Sequence, residues 1–120
     1  GHVVKALSQR GLAYLHFIEP RSSGAGRADV NHQNVPSAMD LFRPLWPGVL
    51  ITAGGFTRET AEDAVASGKA DAIAFGRHFI SNPDLPRRLK EKAPLTPYNR
   101  ETFYGGAEAG YTDYPFYEQA

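Results

Sequence analysis

Two short apolar runs each end in a glycine turn, with one helix-length stretch between them. Val49-Leu50-Ile51-Thr52-Ala53 runs into Gly54-Gly55, and Asp71-Ala72-Ile73-Ala74-Phe75 runs into Gly76-Arg77. The stretch from Thr57 to Gly68 has a capping threonine, and Ala61, Ala64 and Val65 share one face. Strand, helix and strand in this order close by a right-handed crossover, so the strands lie parallel and end on the same side of a sheet. Adjacent glycine turns there present neighbouring backbone N–H groups, and Arg77 adds a permanent cation. That combination suits a phosphate monoester, which barrels of β/α units hold at this end.

The rest of the chain extends the alternation. Val3, Val4, Ala6 and Leu7 make the apolar side of a first helix that Gly11 closes in a left-handed cap. Residues 12–18, Leu-Ala-Tyr-Leu-His-Phe-Ile, form a nearly continuous apolar strand of the kind covered on both faces in parallel sheets. Residues 19–35 read as a long surface loop, whose length suggests a binding role. Ser37 to Arg43 is a short helix ended by Pro44, and Arg77 to Ser81 is one short turn. Asn82-Pro83-Asp84 starts a last helix with Leu85 and Leu89 inward and Arg87, Arg88, Lys90 and Lys92 outward.

The predicted order is α-β-α-β-α-β-α, which is α/β by β/α units. Three strands do not close a barrel, which takes eight, and an open three-stranded sheet leaves both edges unpaired. The expected object is therefore part of a larger one. Residues 1–92 form the partial barrel, and residues 93–120, rich in tyrosine, phenylalanine and glycine, form an extended aromatic arm.

Formal net charge is zero, so nothing points to nucleic acid or an anionic membrane as partner. Cysteine is absent, which excludes disulfides and thiolate metal sites and suits the cytoplasm. No apolar stretch reaches the roughly 20 residues that cross a bilayer. The four histidines show no metal-ligand spacing, so no metal site is expected. His16 reads as an interior strand histidine, His32 lies in the long loop, and His78 stands beside Arg77.

Four segments in order carry a family resemblance. They are Gly11-Leu12-Ala13-Tyr14-Leu15-His16, Ala53-Gly54-Gly55-Phe56, the run from Phe75 to Leu85, and Phe103-Tyr104-Gly105-Gly106 with Gly110-Tyr111-Thr112-Asp113-Tyr114-Pro115. Together they resemble the C-terminal third of the Old Yellow Enzyme family. The resemblance implies a (β/α)8 TIM barrel that holds FMN, takes hydride from NAD(P)H and reduces alkenes conjugated to a carbonyl or nitro group. It implies that Ala53, Gly54, Gly55, Gly76 and Arg77 grip the FMN phosphate and that Tyr111 lies near flavin and substrate. Many members carry asparagine in the first turn; Gly55 offers its backbone only. The substrate-anchoring histidine pair and the proton-donating tyrosine belong to earlier strands that nothing here matches. By resemblance, then, this chain holds no catalytic residue of its own and needs a complementary N-terminal barrel chain.

Blander readings stand beside these. The glycines serve turn geometry alone, Arg77 pairs with Asp84, Tyr111 is packing, and the cations from 87 to 92 are a solvated helix face. Arg21 and Arg27 are candidates for shaping substrate or nicotinamide access. At the level of function the alternatives are a non-catalytic assembly module, or a piece of another phosphate-binding β/α barrel such as a sugar-phosphate isomerase or synthase.

Overall fold

The computed structural model describes residues 1–21 and 36–118, so most of the expected long loop, with Arg27 and His32, lies outside the described residues. The chain divides into two compact units, Gly1–Ala74 and Phe75–Ala120. The change of composition at residue 93 falls inside the second.

In the first unit, α1 (His2–Ser8), β1 (Tyr14–Ile18), α2 (Ala38–Phe42), β2 (Val49–Ala53), α3 (Arg58–Ala66) and β3 (Ala72–Ala74) alternate as expected. The strands form one parallel sheet in the order β1-β2-β3. Tyr14 pairs with Val49 and Ile18 with Ala53, and Ala53 in turn pairs with Ala74. Val4, Trp46 and Leu50 make the core, with Leu7, Leu15, Phe17, Phe42 and Leu45 packed on it. Trp46 closes its polar end by donating to the Val49 carbonyl at 2.9 Å. Asp71 ties the entries of two strands: its carboxylate accepts from the Leu50 amide and from Arg43, both at 2.8 Å. Those two donors, the amide first, hold its carboxyl below the usual carboxylate range.

Thr57 caps α3 in a reciprocal box with Thr60, and Ala61 and Ala64 are buried while Val65 is exposed. Helix α1 ends at Gln9, two residues before Gly11, although Gly11 does take a positive φ of 63°. Helix α2 has Ser37 as its N-cap and Arg43 as its C-cap, so it ends just before Pro44 as expected, and a 3-10 turn, Arg43–Leu45, follows.

Among the described residues the sheet is covered on one face only, which departs from the expectation for the first strand. Leu15 and Phe17 are half-buried, and Leu50 and Thr52 are wholly buried. On the other face Tyr14, Ile18 and Val49 are 54%, 58% and 47% exposed, and His16 is exposed rather than interior. An apolar face of this kind belongs in a second layer or a closed barrel.

The second unit holds α4 (Arg77–Ser81), α5 (Leu85–Glu91), a 3-10 turn at Arg100–Thr102, and irregular chain beyond it. Leu85 points inward as expected, but so does Arg88, at 3% exposure. The outward reading of Arg88 fails because its charge has polar partners waiting. It donates to Asp84 and Asn82 at 2.7 Å each, to Thr96 Oγ1 at 3.0 Å and to the Pro115 carbonyl at 2.8 Å. The alternative reading, in which Arg77 pairs with Asp84 or another acid, is not met at Asp84, whose ion-pair partner is Arg88.

Helix α5 closes on Lys92, which takes a left-handed φ of 57°. A side chain is disfavoured there and glycine is not. Lys92→Gly is expected to stabilise the fold by about 0.5–1 kcal/mol, seen as a higher denaturant midpoint; a lower midpoint refutes the strain. No described helix is long and apolar enough to cross a membrane.

Candidate functional site

Because the strands are parallel and Ala53 is in register with Ala74, β2 and β3 end level at one edge of the sheet. The chain reaches Gly54 one residue after the first end and Gly76 two residues after the second.

At the first turn, Gly54 and Gly55 take φ values of 102° and 68°, a pair of left-handed conformations that other residues adopt only under strain. Ala53 is held in place by its carbonyl, which accepts from the Glu19 amide at 2.8 Å. Arg21, expected only as an access residue, lies against this turn. Its Nε donates to the Gly54 carbonyl at 2.8 Å, and its guanidinium sits 4.5 Å from the centre of the Phe56 ring. A Cβ at Gly55 would come within 2.9 Å of that Nε. Gly55 is therefore needed twice, for backbone conformation and for the close approach of a cation.

Glu19 fixes the start of that segment. Its buried carboxylate accepts from the Ala38 and Met39 amides and from the Thr52 hydroxyl. Nothing local in the sequence marks it, since its partners lie about 20 and 33 residues away.

In the second unit Gly76 is the N-cap of α4, and its carbonyl accepts from Phe79 and Ile80 at 3.0 Å each. Arg77 is the first helical residue and half-buried. Its Nη1 donates to the Tyr98 hydroxyl at 3.1 Å, with the guanidinium 5.3 Å from that ring's centre. His78 meets the same ring edge-on at 5.4 Å. The sequence offered no reason to single out Tyr98 among the arm's aromatics.

Tyr111 lines a cavity of about 410 Å³ with Phe79, Ile80, Phe103, Tyr114 and Phe116. Its hydroxyl donates to the Phe103 carbonyl at 3.2 Å. The walls are largely apolar, which suits a small organic molecule with few polar groups.

The profile of the NADH:flavin oxidoreductase / NADH oxidase family matches residues 2–96. The chain is 45% identical over 119 residues to 12-oxophytodienoate reductase 2 of Arabidopsis thaliana, covering 98% of this chain and 30% of that protein. It is 44% identical over 121 residues to putative 12-oxophytodienoate reductase 4 of Oryza sativa subsp. japonica, with the same coverage. Among solved structures, morphinone reductase superposes with a TM-score of 0.80 at 43% identity, over 97% of this chain and 30% of that one. The old yellow enzyme from Trypanosoma cruzi gives 0.82 at 35% identity, over 98% and 29%. The chain thus spans about 30% of the length of the curated relatives it matches. Its open parallel sheet is that of an incomplete TIM barrel, the fold of these old yellow enzymes. Matched profile, relatives and architecture agree: the chain belongs to the NADH:flavin oxidoreductase / NADH oxidase family, the Old Yellow Enzyme family of FMN flavoprotein oxidoreductases.

Proposed function

We propose that this chain is the FMN-phosphate-binding, C-terminal portion of an NAD(P)H-dependent ene-reductase that acts once the rest of the barrel is supplied. The reduced double bond is one conjugated to a carbonyl or nitro group. The observation that carries the reading is the level, parallel ending of β2 and β3, each followed within two residues by a glycine, in a chain matched by the family over most of its length.

The residues fit the cofactor. A glycine pair in left-handed conformation lets backbone approach a phosphate closely, and the guanidinium of Arg77 supplies a planar pair of donors for two oxygens. Ala53, Gly54, Gly55, Gly76 and Arg77 would hold the phosphate. Arg21, already bonded to the Gly54 carbonyl, adds a second cation at the first turn and so favours an anionic ligand. FMN held there would supply the hydride chemistry between NAD(P)H and the alkene, chemistry that belongs to the cofactor. The contribution of this chain is to bind and orient. Tyr111 and its apolar neighbours would shape the space for the enone and keep water from it. The groups that polarise the substrate carbonyl and return the proton are supplied by the complementary N-terminal portion.

The test is reconstitution. The chain mixed or co-expressed with a complementary barrel segment and FMN is expected to turn yellow and to oxidise NADPH in the presence of cyclohexenone. A mixture that stays colourless and consumes no NADPH refutes the reading. A well-folded but flavin-free assembly points instead to a non-catalytic module. Preference for a sugar phosphate over FMN in a thermal-shift assay points to a different phosphate-binding barrel.

A further inference from the structure

We infer that Tyr98 is a positioning residue for Arg77, orienting its guanidinium for the phosphate monoester; the inference rests on the phosphate-gripping role just proposed for Arg77.

Arginine has a long side chain with considerable rotamer freedom, and a binding site loses affinity if that freedom must be frozen at the moment of binding. Tyr98 removes much of it beforehand through two contacts of different kinds. Its hydroxyl accepts from Arg77 Nη1 at 3.1 Å, and its ring lies under the guanidinium at 5.3 Å. One contact fixes a nitrogen and the other confines the group over the ring. A carboxylate in the same place would orient the guanidinium equally well while neutralising it; a phenol orients it and leaves the charge in place.

Tyr98 is itself held. It is half-buried, with His78 edge-on at 5.4 Å and the buried Phe103 tilted against it at 5.6 Å. Arg100 uses the same ring and the same oxygen, with its guanidinium 5.4 Å from the ring centre and Nη2 3.4 Å from the hydroxyl. Arg100 thus helps to hold the ring on which the Arg77 guanidinium rests.

The experiment compares FMN with riboflavin, which has the same ring system and no phosphate, by flavin fluorescence in the reconstituted assembly. Tyr98→Phe keeps the ring and removes the hydroxyl; it is expected to weaken FMN about tenfold and leave riboflavin unchanged, the scale of one charge-assisted hydrogen bond. Tyr98→Leu, which also removes the ring, should weaken FMN further, again without affecting riboflavin. Equal weakening of both ligands marks a merely structural tyrosine, and no change in either marks an irrelevant one; each overturns the inference. Failure of the underlying reading looks different, because Arg77→Ala would then leave the preference for FMN over riboflavin untouched.

Discussion

Arg88→Ala is expected to destabilise the second unit by about 3–5 kcal/mol, the scale for removing one partner of a buried ion pair. The guanidinium is 3% exposed and ties α5 to chain far beyond it, through Asp84, Asn82, Thr96 and the Pro115 carbonyl. Its loss strips the Pro115 carbonyl of this donor and leaves the Asp84 carboxylate its other acceptor bond, from the Tyr117 amide at 2.9 Å. Arg88→Lys should recover only part of the loss, because an ammonium cannot span the same fork of acceptors. Urea unfolding measures the effect, and hydrogen exchange at the Thr96 and Tyr117 amides locates it. An unchanged midpoint with unchanged exchange would remove Arg88 from this role. Acid adds a second view. Burial pushes the Asp84 carboxyl up, but the Tyr117 amide and the Arg88 guanidinium outweigh it and hold the group below its ordinary value of 3.8. Its contribution is in place above that value and is lost as pH falls through the lowered one. Without Arg88 the Asp84 carboxyl is lowered less, so the fall of stability in acid should be shallower and the cost of Arg88→Ala smaller at low pH than near neutrality.

Arg77→Ala is expected to weaken FMN binding in the reconstituted assembly by about 2–4 kcal/mol, by removing a charge-assisted bidentate contact. Arg77 sits at the first position of α4, where alanine is a good helix former, so the cost to the fold should be limited to its side-chain contacts such as those with Tyr98, about 1 kcal/mol. Affinity and stability are thereby separable: the variant should unfold at only a slightly lower denaturant concentration yet release its flavin on gel filtration. Full flavin retention would refute the assigned role.

How far the sequence reveals this depends on how local each signal is. Val49–Ala53 and the Thr57 cap are legible because an apolar run, a glycine pair and a capping threonine all lie within a dozen residues. Arg88 is misread because helical spacing alone puts a charge outward, while the acceptors that draw it in arrive from Thr96 and Pro115. His16 is misread for the opposite reason: an apolar run implies cover on both faces, and the described chain supplies cover for one. Arg21 is visible as a cation in a loop, but its seat at Gly54 spans 33 residues. Tyr98 is hidden among similar aromatics, since composition shows that an arm docks and not which ring meets which guanidinium.

Glu19 has a consequence for how the first unit tolerates change. Its amide bonds to the Ala53 carbonyl while its carboxylate takes the first amides of α2. The segment from 22 to 35 is thus bracketed by anchors that belong to the framework. One carboxylate therefore serves strand β2 and helix α2 together, through the Thr52 hydroxyl and the two amides. Losing it would leave three polar groups without this acceptor at once, so a single exchange at Glu19 loosens a strand and a helix together.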